Sequence, residues 1–143
     1  MDPSRIAYEL VWRLHRIVYR ITGGRVGTDS RSERGTLVLR TVGRRSGRPR
    51  ETMLYFWRDG PRYAVVASNL GSERPPAWFL NLTDHSEAEV EVDRRVIPVR
   101  ATAADGAHSD LLWQRIDQSS PVYADYRRRA SRTIPVVLLE PIT

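Results

Sequence analysis

The sequence predicts an α+β protein built on a small, six-stranded, mainly antiparallel β-barrel with flanking helices. Three observations carry that expectation. Beyond residue 35 the chain offers a series of short β-rich segments separated by turn residues. Two pairs of them are joined closely enough to form hairpins, and helical patterns fall mainly at the ends of the series. Strand and helix alternate too irregularly for a doubly wound parallel sheet.

Taken in order, residues 4 to 22 read as a helix that Ser4 can cap and Gly23–Gly24 stop. Ile6, Leu10, Leu14, Ile17 and Ile21 form an apolar stripe, with Arg5, Glu9, Arg13, Arg16 and Arg20 opposite. Tyr8, Trp12, His15 and Tyr19 widen the non-polar arc. Such a helix either lies on the domain with aromatic flanks or touches a membrane surface or partner with its basic face. Strands are expected at Thr36–Val42, Glu51–Arg58 and Arg62–Ser68, the last two across a turn at Asp59–Gly60. Residues 76 to 83 look helical around Trp78, Phe79 and Leu82. Ala88–Asp93 and Val96–Ala103 form a second hairpin across Asp93–Arg95. In its first strand Val90 and Val92 alternate with Glu89, Glu91 and Asp93, which predicts one wet face. Residues 106 to 130 carry a helix that Pro121 must kink or restart. Ile134–Glu140 is the final strand.

Composition bounds the function. The 143 residues suit one domain, with 1–24 as an N-terminal amphipathic helix and 30–141 as the barrel. No stretch reaches the roughly 20 apolar residues of a membrane-spanning helix. Arg13, Arg16 and Arg20 break any signal-peptide pattern, so the expected location is the cytoplasm, with membrane association left open through residues 4–22. The absence of cysteine excludes disulfides, thiolate nucleophiles and thiolate metal sites. His15, His85 and His108 stand far apart, so no metal is expected. Net charge is +6 and all 23 basic residues are arginine. No lysine is available for a Schiff base, and every basic contact is a planar fork suited to phosphate or carboxylate.

The segment richest in chemistry is Gly43-Arg44-Arg45-Ser46-Gly47-Arg48-Pro49-Arg50, a turn between two strands. Its four arginines repel one another unless anions or solvent intervene. The glycines permit bends that aim backbone N–H groups into one concavity, and Ser46 adds a hydroxyl. This is equipment for a phosphorylated ligand, or else a solvated basic loop. It is not a P-loop, because no Lys-Ser or Lys-Thr follows Gly47. Two weaker segments accompany it. Ala67-Ser68-Asn69-Leu70-Gly71-Ser72 is small enough to admit a planar ligand close to the backbone, or is a plain turn. In Pro76-Ala77-Trp78-Phe79-Leu80-Asn81 the tryptophan reads as core, and the asparagine can hold a loop or a ligand edge.

Together these segments resemble a known family. Leu39 to Arg50, Leu54-Tyr55-Phe56, Ala67-Ser68, Trp78 with Asn81-Leu82, and Arg132-Thr-Ile-Pro135 follow the order and spacing of the deazaflavin (coenzyme F420)-dependent nitroreductases of actinobacteria. The resemblance implies an FMN-binding-like split β-barrel and an F420-dependent oxidoreductase, with FMN the less favoured cofactor. It implies hydride transfer to an electron-poor small molecule: a quinone, nitro compound or enone. Arg44, Arg45, Ser46 and Arg50 would hold the cofactor's phosphate and acidic tail. Met53, Leu54 and Tyr55 would line the deazaflavin, Ala67, Ser68 and Asn69 would follow the ring edge, and Trp78 and Asn81 would brace the pocket. Tyr123 and Tyr126 match the substrate-side tyrosines and would donate a proton to the acceptor or polarise it, with Ser68 a weaker candidate; alternatively the pair packs a helix to the barrel. Arg45 and Asn69 stand where lysine is common in the family. The competing reading is a non-catalytic deazaflavin carrier. A nucleic-acid partner is not expected, since no aromatic platform interleaves the arginines. The expected state is a monomer or homodimer.

Overall fold

The computed structural model describes residues 34–142. The expected helix over residues 4–22 lies outside them. Six strands close into one antiparallel barrel in the order β1-β2-β3-β6-β5-β4. They are β1 (Arg34–Val42), β2 (Pro49–Asp59), β3 (Arg62–Val66), β4 (Glu87–Val92), β5 (Arg95–Ala103) and β6 (Val136–Pro141). The helices are α1 (Ala77–Asp84), α2 (Gly106–Ser119) and α3 (Val122–Arg129), and a single 3-10 turn spans Asn69–Gly71.

Period-two alternation decides what fills the barrel. Leu37 and Leu39 of β1, Phe56 of β2, Tyr63 and Val65 of β3, and Val90 and Val92 of β4 all face inward. Phe56 and Tyr63 meet edge to face at 5.1 Å. The outward residues Trp57, Ala64, Val66, Val136 and Leu138 form a second apolar layer under Leu112 and Ile116 of α2. Trp57 Nε1 donates to Ser119 Oγ at 2.8 Å, which satisfies the indole in that dry layer.

The hairpins are tight. Asp59 pairs with Arg62, so the β2–β3 turn is Gly60–Pro61, one residue later than expected. Val92 pairs with Arg95, and Asp93 and Arg94 both take positive φ, as a type I′ turn requires. The 106–130 helix breaks at Ser120–Pro121 into α2 and α3. The third strand stops at Val66, short of Ser68, because the chain turns left-handed at Asn69.

One expectation is overturned by burial. Glu91 faces outward on β4, yet it has no exposed surface, so that face is not wet there. Arg40, outward on β1, is equally enclosed. Its Nε donates to Glu51 at 2.6 Å, directly across the β1–β2 register, and its guanidinium lies 3.7 Å from Glu91. An arginine between two carboxylates is how a charge is tolerated out of water.

Candidate active site

The register brings the chemistry-bearing segments to one end of the barrel. β1 ends and β2 begins there, and the β3 exit at Val66 pairs with the β6 entry at Val136. The loop Gly43–Arg48, the turn 69–71 and Arg132–Pro135 therefore gather at one rim. α1 closes that mouth by packing Trp78 and Leu82 into the interior cluster.

A cavity of about 610 Å³ opens beneath the rim. Gly43, Arg44, Arg45, Ser46 and Arg50 form one wall, Glu51 and Thr52 the floor of β2, and Ala77, Trp78 and Asn81 the α1 wall. The arginine loop is a closed structure. Gly43 N–H donates to Arg48 O at 2.7 Å and Gly47 N–H to Gly43 O at 2.8 Å. Arg48 N–H donates to Ser46 Oγ at 3.2 Å. Asn81 pins the loop from outside: its Oδ1 accepts from Arg44 N–H and its Nδ2 donates to Thr41 Oγ1, both at 3.1 Å. Of the two roles open to Asn81, holding a loop is the one its amide performs.

These bonds correct the picture of a backbone nest. The N–H groups of residues 43, 44, 47 and 48 are spent inside the loop or on Asn81. What the cavity offers an anion is guanidinium forks and the Ser46 hydroxyl proton. Arg44, Arg45, Arg48 and Arg50 are exposed, and among the described residues none has a carboxylate within ion-pair distance. The acid lining the cavity, Glu51, is already neutralised by Arg40.

The remaining candidates lie outside this cavity. Met53 and Tyr55 face outward on β2, 52% and 66% exposed, next to the β3 exit. Leu54 alternates inward and packs against the interior cluster, so its side chain is turned away from the outer β2 face. Ala67 and Ser68 are buried. The Asn69 amide is committed to its own loop, with Nδ2 donating to Arg74 O at 2.9 Å. Tyr123 meets Trp57 and Tyr126 edge to face, each at 5.5 Å. Tyr123 also senses Tyr55, so three phenols cluster between β2 and α3. Burial first, then Tyr126 and Tyr55, raises the Tyr123 phenol above its ordinary value, against an opposing pull from Arg34. The packing role of Tyr123 and Tyr126 is thus real, and a protonated, half-buried hydroxyl remains at that layer's edge.

Sequence reasoning missed Arg40, Glu51 and Thr41 as supports of this site. The hairpin arithmetic held the signal: Arg40 and Glu51 are equidistant from the 43–48 turn and so must face each other.

A family model described as F420H(2)-dependent quinone reductase matches residues 11–141. An F420H(2)-dependent quinone reductase of Mycobacterium tuberculosis is 37% identical over 147 residues, covering 97% of this chain and 98% of its own. Among solved structures, an F420-H2 dependent reductase superposes with a TM-score of 0.66 at 28% identity, covering 73% of this chain and 93% of its own. A chain described as a domain-swapped dimer superposes with a TM-score of 0.69 at 26% identity, covering 97% and 100%. The barrel is accordingly the split-barrel type.

Proposed function

Since the chain belongs to the F420H(2)-dependent quinone reductase family, and so is an F420-dependent oxidoreductase, we propose that it reduces a quinone, with the arginine loop holding the cofactor's charged tail. The observation that supports the placement is the trio of exposed arginines, Arg44, Arg45 and Arg50, lining a cavity whose carboxylate is already paired. That donor set fits a phosphodiester with an acidic tail: planar forks bind such oxygens two at a time. Gly43 gives the loop its closeness, since a Cβ there would stand 2.7 Å from Ser46 Oγ and 3.0 Å from Arg48 O.

When bound, the reduced deazaflavin supplies the hydride from its C5 carbon. The chain's part is alignment and polarisation. Arg44, Arg45, Ser46 and Arg50 anchor the charged end. Trp78 walls the cavity, and Asn81 acts through the loop it pins. Met53, Tyr55, Ala67, Ser68 and Asn69 border the ring end, Asn69 through its turn, and Leu54 contributes backbone. Tyr123 and Tyr126 face the acceptor, where a phenol donates a hydrogen bond to a carbonyl oxygen as charge builds on it.

Steady-state oxidation of F420H2 by a quinone, run beside a nitro compound and an enone, tests the proposal. Turnover with the quinone is expected. Tight cofactor binding without turnover on any of the three would instead establish a carrier.

The raised Tyr123 phenol sets a pH expectation. The folded state holds this proton more tightly than the unfolded chain, so its contribution to stability is present below the ordinary phenol value and lost as pH rises through the folded one. The hydroxyl stays a donor throughout the neutral range. The pH profile of kcat/KM should show no Tyr123-linked fall below about pH 10. Tyr123→Phe should lower kcat/KM by about tenfold, as loss of one hydrogen bond does, and remove the alkaline limb. An unchanged profile and rate in that variant would assign Tyr123 to packing alone.

A further inference from the structure

The turn after β3 carries the most backbone strain at the site. Asn69, Leu70 and Gly71 take φ of 44°, 57° and 80° in succession. A left-handed leucine is costly, and Leu70 is 73% exposed, so side-chain packing does little to offset that cost. The turn also leaves the carbonyls on either side of it outside any strand ladder, and those oxygens need donors.

One side chain supplies them. Arg132, in the segment leading into β6, donates from Nε to Ser72 O at 3.0 Å. Its Nη2 reaches Ser68 O at 3.0 Å and Ala67 O at 3.2 Å, with Arg74 O at 3.4 Å. The opposite side of the turn is set by α3. A Cβ on Gly71 would lie 3.1 Å from both the Cα and the carbonyl oxygen of Tyr126. The turn is thus wedged between Arg132 and the backbone of the tyrosine-bearing helix.

We propose that Arg132 is a positioning residue of the reductase: its guanidinium holds the strained 69–71 turn and thereby fixes Ser68 and the Tyr126 stretch of α3 at the ring end of the site. This rests on the placement of the deazaflavin given above. Lysine cannot replace it, because a single ammonium lacks the planar fork that serves Ser72 on one edge and Ala67 and Ser68 on another.

The test compares Arg132→Ala and Arg132→Lys in the full chain. Without cofactor, the Gly71 and Ser72 amides, which donate to Ser68 O and Asn69 O, should lose hydrogen-exchange protection in both variants while the β-strand amides keep theirs. Ethylguanidinium should restore protection in Arg132→Ala. With cofactor, dissociation constants for F420 and for the same deazaflavin lacking its phosphodiester and tail should rise together, by about tenfold, because the loss is at the ring end. In a Leu70→Gly background, where the turn is relaxed, the effect of Arg132→Ala should shrink. Equal loss of protection in the strands, or unchanged affinity for the tail-less deazaflavin, would overturn the positioning role. A wild-type chain that binds neither deazaflavin would overturn the reading beneath it, and the exchange data would still show whether Arg132 holds the turn.

Discussion

Arg40→Met should cost about 3–5 kcal/mol of folding stability, the usual penalty for removing one partner of a buried ion pair. Arg40 is fully enclosed between Glu51 and Glu91, and Glu91 is fully enclosed as well. Removing the guanidinium takes from the enclosed Glu91 carboxylate a cation that lies 3.7 Å from it. The double substitution Arg40→Met, Glu91→Met should recover most of the loss, since apolar replacement of a whole buried pair is often neutral. Urea unfolding of both variants checks this, and equal stability of single and double variants would refute it. The same substitution should weaken cofactor binding. Arg40 pairs with Glu51, which lines the cavity, and a carboxylate there without that cation beside it would repel an anionic tail more strongly.

The second large effect is expected at Gly43. Valine there drives a Cβ into Ser46 Oγ at 2.7 Å and the Arg48 carbonyl at 3.0 Å. Rotating Ser46 relieves the first clash but not the second, which is with backbone. The Gly43 N–H bond to Arg48 O then opens, and with it the loop that spaces the arginines. The F420 dissociation constant should rise by about 10- to 100-fold, or roughly 1.4–2.8 kcal/mol. Midpoints of thermal unfolding should move little, because the loop lies on the rim and outside both apolar clusters. A binding titration on Gly43→Val decides it; undiminished affinity would mean that the loop's closed form is irrelevant to the ligand.

Local physics explains which features the sequence revealed. β-rich segments and turn residues placed all six strands, since alternation and tight turns are local properties. The arginine loop stood out for the same reason. What escaped were relations across the barrel. Glu91 sits in an alternating strand that reads as half-wet, and its pairing with Arg40 on the neighbouring β1 is a relation that alternation within one strand does not reveal. The amides of residues 43, 44, 47 and 48 looked available until the closed loop and Asn81 consumed them. Arg132 was visible as part of a family string, but its carbonyl partners lie 58 to 65 residues away. Leu54 is a different case: alternation alone sets it apart from Met53 and Tyr55.

In the function proposed above, the cavity beneath the arginine loop binds F420 by its charged tail. A titration of the wild-type chain and Arg50→Ala with F420 and with flavin mononucleotide tests it most directly. The wild type should prefer F420, and Arg50→Ala should weaken F420 binding by about 1–3 kcal/mol, the range for a charged hydrogen bond. Equal affinity of both chains for F420, or a preference for the flavin, would contradict it.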